Sequence, residues 1–151
     1  SYSITTLPTL SKLYQSSKSV FISKIKKDFI LLSLLGYIIA IIGYITSPYL
    51  LSVVLKNSYV NSIEVFRIVI FALPVMFGTT VLLNSLYILK KARVVVAIFA
   101  FQTVFNFIFN YLYIPKYSYI ASSYITLIGE VITTVLAAII FIKYLKNENR
   151  N

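Results

Sequence analysis

The chain has 151 residues and a formal net charge of +10, with 59% hydrophobic and only 12% charged residues. A typical soluble domain carries about 25% charged residues, and a soluble fold of this size could not bury so much apolar surface. The 151 residues contain no Cys and no His, which excludes disulfides, thiolate metal sites, Cys nucleophiles and His-dependent catalysis within them.

The N-terminal residues lack the basic region and apolar core of a signal peptide. Residues 1–14 instead have the character of the last turns of a helix, and the first residue is Ser. We therefore expect the sequence to be part of a longer protein. On this interpretation residues 1–11 end a preceding span, and a missing N-terminal half is a structural partner.

Four long apolar runs predict an all-α integral membrane protein. Residues 29–55, 68–89 and 94–115 carry no Asp, Glu, Lys or Arg, and residues 117–142 carry only Glu130. Crossing about 30 Å of hydrocarbon takes ~20 helical residues. Strict apolar/polar alternation is missing, which disfavours a β-barrel, and an open sheet cannot satisfy its backbone in lipid. We predict one region of four full transmembrane helices, at approximately 27–50, 64–89, 93–114 and 121–145.

The basic residues predict the topology. Eleven of the fourteen lie before the first span, between the second and third, or after the fourth, and only Lys56, Arg67 and Lys116 lie in the other links. The positive-inside rule puts the eleven, and both ends of this segment, in the cytoplasm of a multi-pass protein. The basic clusters are therefore expected to contact membrane lipids, and no nucleic acid partner is expected.

The first two spans contain features of helix packing and bending. Gly36, Ala40, Gly43 and Ser47 form a small-residue face that lets another helix approach closely, and Pro48 should kink or end that helix. In the second span, Pro74 is a candidate hinge, and Asn84 is a candidate pathway residue. Arg67, at the entrance of that span, either extends to lipid headgroups or pairs with an anionic substrate.

The last two spans each carry a polar stripe. Gln102, Asn106 and Asn110 recur every four residues, and Thr126 lies one helical turn before Glu130. Side-chain amides avoid lipid, so the first stripe is expected to face inward, for interhelical hydrogen bonds or to line a wet cavity. Glu130 lies near the bilayer centre and must face protein, face water or be protonated. It is either a structural hydrogen-bonding group or part of a substrate, proton or ion pathway.

Asn110, the run Ile114-Pro115-Lys116-Tyr117, Thr126 and Glu130 follow one another in a recognisable order. This order resembles the C-terminal region of polysaccharide-biosynthesis flippases of the MOP (multidrug/oligosaccharidyl-lipid/polysaccharide) exporter superfamily. That pattern has Asn, Ile-Pro-x-Tyr-Gly, Gly-Ala-Ala and a Thr-containing helix with Glu. Ser118 replaces the first Gly, and residues 121–123, Ala-Ser-Ser, replace Gly-Ala-Ala. The segments at 7–14 and 59–67 also resemble the family. The matching positions are Asn110, Ile114, Pro115, Tyr117, Thr126 and Glu130.

The resemblance implies a transporter of two helical lobes in the bacterial cytoplasmic membrane, with this chain as its last four spans. It implies that an undecaprenyl-pyrophosphate-linked oligosaccharide is flipped by alternating access, for O-antigen, capsule, lipopolysaccharide or similar surface polysaccharide. No cofactor is expected, although coupling to H⁺ or Na⁺ through Glu130 is an open alternative.

Three other functions remain as alternatives. A cation-coupled drug antiporter of the same superfamily would use Glu130 as its ion site. A membrane glycan polymerase or ligase would need catalytic groups, but the four acids, Asp28, Glu64, Glu130 and Glu148, are not paired at helical spacing, so no enzyme is predicted. A small pore-forming or scaffolding protein is the third alternative.

Overall fold

A computed structural model describes residues 2–55 and 60–148, and within these ranges the chain is helical without any strand. The helices are α1 (Tyr2–Ser16), α2 (Lys18–Leu55), α3 (Val60–Val69), α4 (Ala72–Ile88) and α5 (Ala92–Glu148). In the described part of the chain, three stretches are long and apolar enough to cross a membrane: Lys18–Val53, Ser62–Ile88 and Ala92–Lys146. Their outward faces carry large apolar side chains, such as Ile45 and Phe107, that are about 70% exposed. The predicted all-helical class is confirmed, and these stretches are compatible with a multi-pass membrane protein.

The third and fourth predicted spans belong to a single helical run, α5, that folds back on itself. The backbone of Ser118 leaves the helical region, with φ 58° and ψ −160°. Gln102 and Glu130 are hydrogen-bonded across 28 positions, although a straight helix would separate them by about 42 Å. A first arm (92–117) and a second arm (119–148) therefore pack antiparallel, and the link predicted at 115–120 is a helix reversal at one residue.

The reversal strains Ser118. A positive φ with an extended ψ is a conformation that is tolerated almost only by glycine. Replacing Ser118 with glycine is expected to stabilise the folded chain by about 1 kcal/mol, because the strain is relieved at a residue outside regular helix. The midpoint of thermal unfolding in detergent would measure this gain.

The matched control is Ser122→Gly, one turn into the second arm. There glycine should destabilise by about 0.5 kcal/mol, because it adds backbone entropy to the unfolded chain without relieving strain. Destabilisation by both substitutions would contradict a strained reversal at Ser118.

The second predicted span, 64–89, is not one straight helix but is divided into α3 and α4 at Ile70 and Phe71. Pro74 has no backbone N–H, so it cannot bond to the Ile70 carbonyl four residues earlier. The Leu73 N–H bonds to that carbonyl instead, at 3.2 Å, which tightens the backbone at this point. The hinge candidate Pro74 thus lies in the first turn of α4, directly after the break.

Pro48 does not end α2, which continues to Leu55. The carbonyl that the proline leaves without a helical donor belongs to Tyr44. The Ser47 hydroxyl donates to it at 2.8 Å, so the polar backbone group stays satisfied within the helix. α2 also begins before the predicted boundary, because the basic segment from Lys18 onward is already helical.

The small-residue face of α2 packs against α3 and α4, as predicted. Gly36, Ala40, Gly43 and Ser47 are all buried. A Cβ atom on Gly36 would lie 2.5 Å from the Pro74 Cα, so the two backbones are in direct contact. A Cβ atom on Gly43 would overlap the Ile70 side chain. Close approach of α2 to its neighbours therefore depends on these two glycines.

The basic clusters converge at one end of the bundle. Lys26 and Phe29 of α2 line a cavity with Leu82 of α4 and Phe141 of α5. Nearby, the Lys91 ammonium lies 4.5 Å from the centre of the Tyr144 ring. The core beneath this end contains Leu10 of α1, which is fully buried, and is completed by Phe21, Ile25, Val81, Leu86, Val95, Ala137 and Phe141.

Candidate functional site

The two arms of α5 bring the predicted polar stripes together at one point. The Gln102 Nε2 atom donates to the Glu130 Oε1 atom at 2.5 Å. The arms can approach because Gly129 faces the first arm, where a Cβ atom would lie 3.3 Å from the Asn106 amide nitrogen. Both partners of the hydrogen bond remain partly exposed at the edge of the bundle. We call this contact the polar seam, and define it by Gln102, Asn106, Gly129 and Glu130.

The two asparagines do not bridge the arms. The Asn106 amide donates to the Gln102 carbonyl at 3.1 Å, and the Asn110 amide donates to the Asn106 carbonyl at 2.7 Å, both within their own helix. The Asn110 side-chain oxygen is buried and accepts no hydrogen bond within the described residues. Of the three residues in this stripe of the first arm, Gln102 alone donates a hydrogen bond to the second arm.

Thr126 also bonds within its own helix, to the Ser122 carbonyl at 2.9 Å. Beyond Glu130 the seam continues through residues that the sequence did not single out as site residues. The Thr134 hydroxyl donates to the Glu130 carbonyl at 2.8 Å and is also hydrogen-bonded to the Thr79 hydroxyl of α4. The helix bearing the carboxylate is therefore connected to α4. The four-residue spacing from Glu130 to Thr134 was the available signal, but it could not identify Thr79 as the partner.

Asn84 lies away from the polar seam, in the buried stretch 81–86 of α4. α4 and the second arm run parallel, with Thr79 beside Thr134 and Leu82 beside Ala138. Relative to the Thr79–Thr134 contact, Asn84 lies five residues further along α4, and Glu130 lies four residues earlier in the second arm. Nine residues of helical rise therefore separate Asn84 from Glu130, which is about 13 Å along the axis. Pro74 is buried against Gly36 and lies in the α2–α4 contact.

Arg67 belongs to a different site, which we call the Arg67 cleft. Its guanidinium lies over the Tyr44 ring, 4.5 Å from the centre, and its Nε atom donates to the Ser47 hydroxyl at 3.0 Å. Ser47 is fully buried, so the side chain is held by protein and does not simply extend to lipid headgroups. The cleft has a volume of about 560 Å³ and is lined by Tyr44, Ile63, Glu64, Arg67, Ile68, Phe71, Tyr124 and Leu127.

Acidic groups do not assemble into a metal site in residues 2–55 and 60–148, where no three Asp, Glu, His or Cys side chains cluster. Asp28 is buried and forms an ion pair with Lys24 at 2.6 Å, one turn away on α2. Glu64 lines the Arg67 cleft, and Glu130 is in the polar seam. These three carboxylates therefore occupy three separate surroundings.

Comparison with known proteins identifies no relative: no protein-family model, no curated protein and no solved structure matches this chain.

Proposed function

We propose that the chain is a transmembrane helical unit of a MOP-type flippase, and that it helps to move an undecaprenyl-pyrophosphate-linked oligosaccharide across the bacterial cytoplasmic membrane. The observation that carries the proposal is the Gln102–Glu130 hydrogen bond. The bonded carboxylate is partly exposed and lies about 18 Å along the second arm from Ser118, which is close to half of a ~30 Å hydrocarbon core in a bilayer whose surface is at the reversal. A polar sugar headgroup requires such a polar, unsealed surface to cross hydrocarbon.

Two further features support this proposal. The positive φ of Ser118 falls where the MOP pattern has Gly, so the resemblance and the backbone require the same residue type at one position. The two antiparallel arms of α5, within the apolar stretch Ala92–Lys146, are each long enough for one crossing, and this supports a four-span arrangement with the basic clusters at one end. The positive-inside rule then assigns that end, and both ends of the segment, to the cytoplasm.

Deletion of the gene tests the transported substrate. We expect surface polysaccharide to be lost while the lipid-linked oligosaccharide accumulates in the inner leaflet of the cytoplasmic membrane. In intact spheroplasts, a membrane-impermeant reagent that oxidises sugars should leave the accumulated oligosaccharide unmodified. Re-expression of the full-length protein is the control and should restore the glycan.

Other results would select the alternatives. Oligosaccharide that accumulates but is oxidised from outside has already been flipped, as expected for loss of a polymerase or ligase. Intact surface glycan with lost drug resistance would identify a cation-coupled antiporter, for which Glu130 would be the H⁺ or Na⁺ site. Either result would overturn the flippase proposal.

A further inference from the structure

We propose that the Arg67 cleft, together with the adjoining surface of α5, is a binding site for one bilayer phospholipid with a zwitterionic phosphoethanolamine headgroup. This site is distinct from the polar seam and does not depend on the proposed flippase activity. The headgroup would occupy the cleft, and one acyl chain would lie between the arms of α5.

The charge arrangement of the cleft fits this headgroup. The Nε atom of Arg67 is occupied by Ser47, and Tyr44 supports the face of the guanidinium, so the plane of the group is fixed. The remaining guanidinium N–H groups have no protein acceptor among residues 2–55 and 60–148, and they can bond to phosphate oxygens in the forked geometry that arginine favours. Glu64 lines the same cleft one helical turn away and can pair with the ammonium group.

The aromatic residues of the cleft add to this complementarity. Tyr44, Phe71 and Tyr124 line it beside the two charged groups. Aromatic rings attract ammonium ions, and Arg67 already covers the Tyr44 ring, so Phe71 and Tyr124 are the rings that can contact the positive end of the headgroup beside Glu64. An anionic headgroup without an ammonium, such as that of phosphatidylglycerol, can pair its phosphate with Arg67 but leaves Glu64 without a cationic partner.

A second, apolar groove lies next to the cleft. Four aromatic rings, at Phe105, Phe109, Tyr113 and Tyr117, stack along the first arm with centroids 4.4 to 6.1 Å apart. The groove between this row and the second arm has a volume of about 410 Å³. Tyr124 lines both the groove and the Arg67 cleft, so the two cavities lie on either side of one side chain. From Tyr124 the groove continues toward Phe105 and Ile128, which is the direction of the bilayer centre.

The depth of the site suits a lipid. Arg67 is five residues from the start of the apolar stretch Ser62–Ile88, and Tyr124 is six residues from the Ser118 reversal. Both are therefore about 8–9 Å from the end of an apolar stretch whose total helical rise is ~40 Å. Since the hydrocarbon core accounts for about 30 Å of that length, about 5 Å lies outside it at each end, and the backbone of these two residues lies ~4 Å inside the core boundary. The cleft is thus at the outer boundary of the hydrocarbon core, where it adjoins the headgroup layer, and the groove is at the depth of acyl chains.

Native mass spectrometry of the full chain tests this proposal. The protein, purified in mild detergent, is mixed with equimolar phosphatidylethanolamine and phosphatidylglycerol, and the retained lipid is counted. We expect one phosphatidylethanolamine per chain, retained about tenfold better than phosphatidylglycerol. Arg67→Gln should lower retention of both lipids by about tenfold or more, and Glu64→Gln should remove the preference between them. Lys116→Gln, which removes a cation outside the cleft, should change neither.

Several results would overturn the site. Equal retention of the two lipids by the unmodified chain would contradict recognition of the ammonium group, and unchanged retention in Arg67→Gln would contradict the phosphate contact. Displacement of phosphatidylethanolamine by an equimolar isoprenoid pyrophosphate would identify the cleft as a substrate site instead. Helix content measured by circular dichroism controls for folding. If Arg67→Gln loses helix, Arg67→Lys supplies the test, because it keeps the charge but loses the forked geometry and should lower retention.

Discussion

Replacing Gly36 with alanine is expected to lower the free energy of unfolding by about 2–3 kcal/mol, although alanine is the better helix former. The added methyl group would lie 2.5 Å from the Cα atom of Pro74. Because that atom is backbone and Pro74 is buried, the clash is relieved only if α2 and α4 move apart, which loses the packing between them. The measurement is thermal or denaturant unfolding of the purified chain in detergent, followed by circular dichroism.

Gly129→Ala is the matched control, because this glycine also lies at a contact between helices. There the added methyl group would meet side-chain atoms, with the Asn106 amide nitrogen 3.3 Å away and the Phe105 ring 3.4 Å away. These side chains can shift by a few tenths of an ångström, and alanine gains up to about 1 kcal/mol in helix propensity. We expect a change within about 1 kcal/mol. Equal effects at the two glycines would contradict a backbone contact between Gly36 and Pro74.

Replacing Glu130 with glutamine is expected to reduce glycan export by about tenfold or more and to leave the stability of the fold within about 0.5 kcal/mol. Glutamine has the same size and still offers an oxygen to the Gln102 amide, so the contact between the arms of α5 survives. What it loses is the ability to carry a negative charge or bind a proton. Export is measured as surface polysaccharide in a deletion strain complemented with the full-length protein, at matched expression.

Accessibility of position 130 separates a pathway role from a structural one. The 151 residues contain no Cys, so single cysteines can be introduced at chosen positions in an otherwise Cys-free full-length protein. A cysteine at position 130 should react with a membrane-impermeant thiol reagent from one side of the membrane. The control is a cysteine at position 133, since Thr133 is fully buried and a cysteine there should stay unmodified.

Two results would reduce Glu130 to a structural hydrogen-bonding residue. One is normal export by the Glu130→Gln protein. The other is absence of labelling at position 130 from both sides in a protein that is folded. Labelling at both positions 130 and 133 would instead indicate that the second arm of α5 is not packed as described.

The two sites differ in how far sequence reasoning could reach them. The contact of Gln102 with Glu130 follows from two polar stripes on neighbouring antiparallel helices, so the meeting of the stripes was predictable. Which residues of the stripes bond to each other could not be predicted. An asparagine in a helix can donate its amide to the carbonyl four residues earlier, as Asn106 and Asn110 do, instead of to the neighbouring helix. For the Arg67 cleft, the sequence identified Arg67 as a candidate but not the residues around it, because Tyr44 and Tyr124 come from distant parts of the chain.

By itself, the sequence determined the class of the protein. Hydropathy over ~20 residues is a local property, and so is the exclusion of charge from lipid, which makes apolar helices predictable without any knowledge of their neighbours. The small-residue face of α2 was readable for the same reason, because its residues share one helical face.

Only the tertiary structure decided which groups meet. Neither proline can donate a backbone hydrogen bond. At Pro48 the Ser47 hydroxyl donates to the Tyr44 carbonyl instead, and α2 continues. At Pro74 the Leu73 N–H donates to the Ile70 carbonyl, and the helix is broken there. The reversal at Ser118 sets the register of the two arms, and that register pairs Glu130 with Gln102 and Thr134 with Thr79. Helical periodicity defines the face on which a side chain lies. The height at which it meets another helix depends on bends, reversals and close backbone contacts summed over the whole bundle.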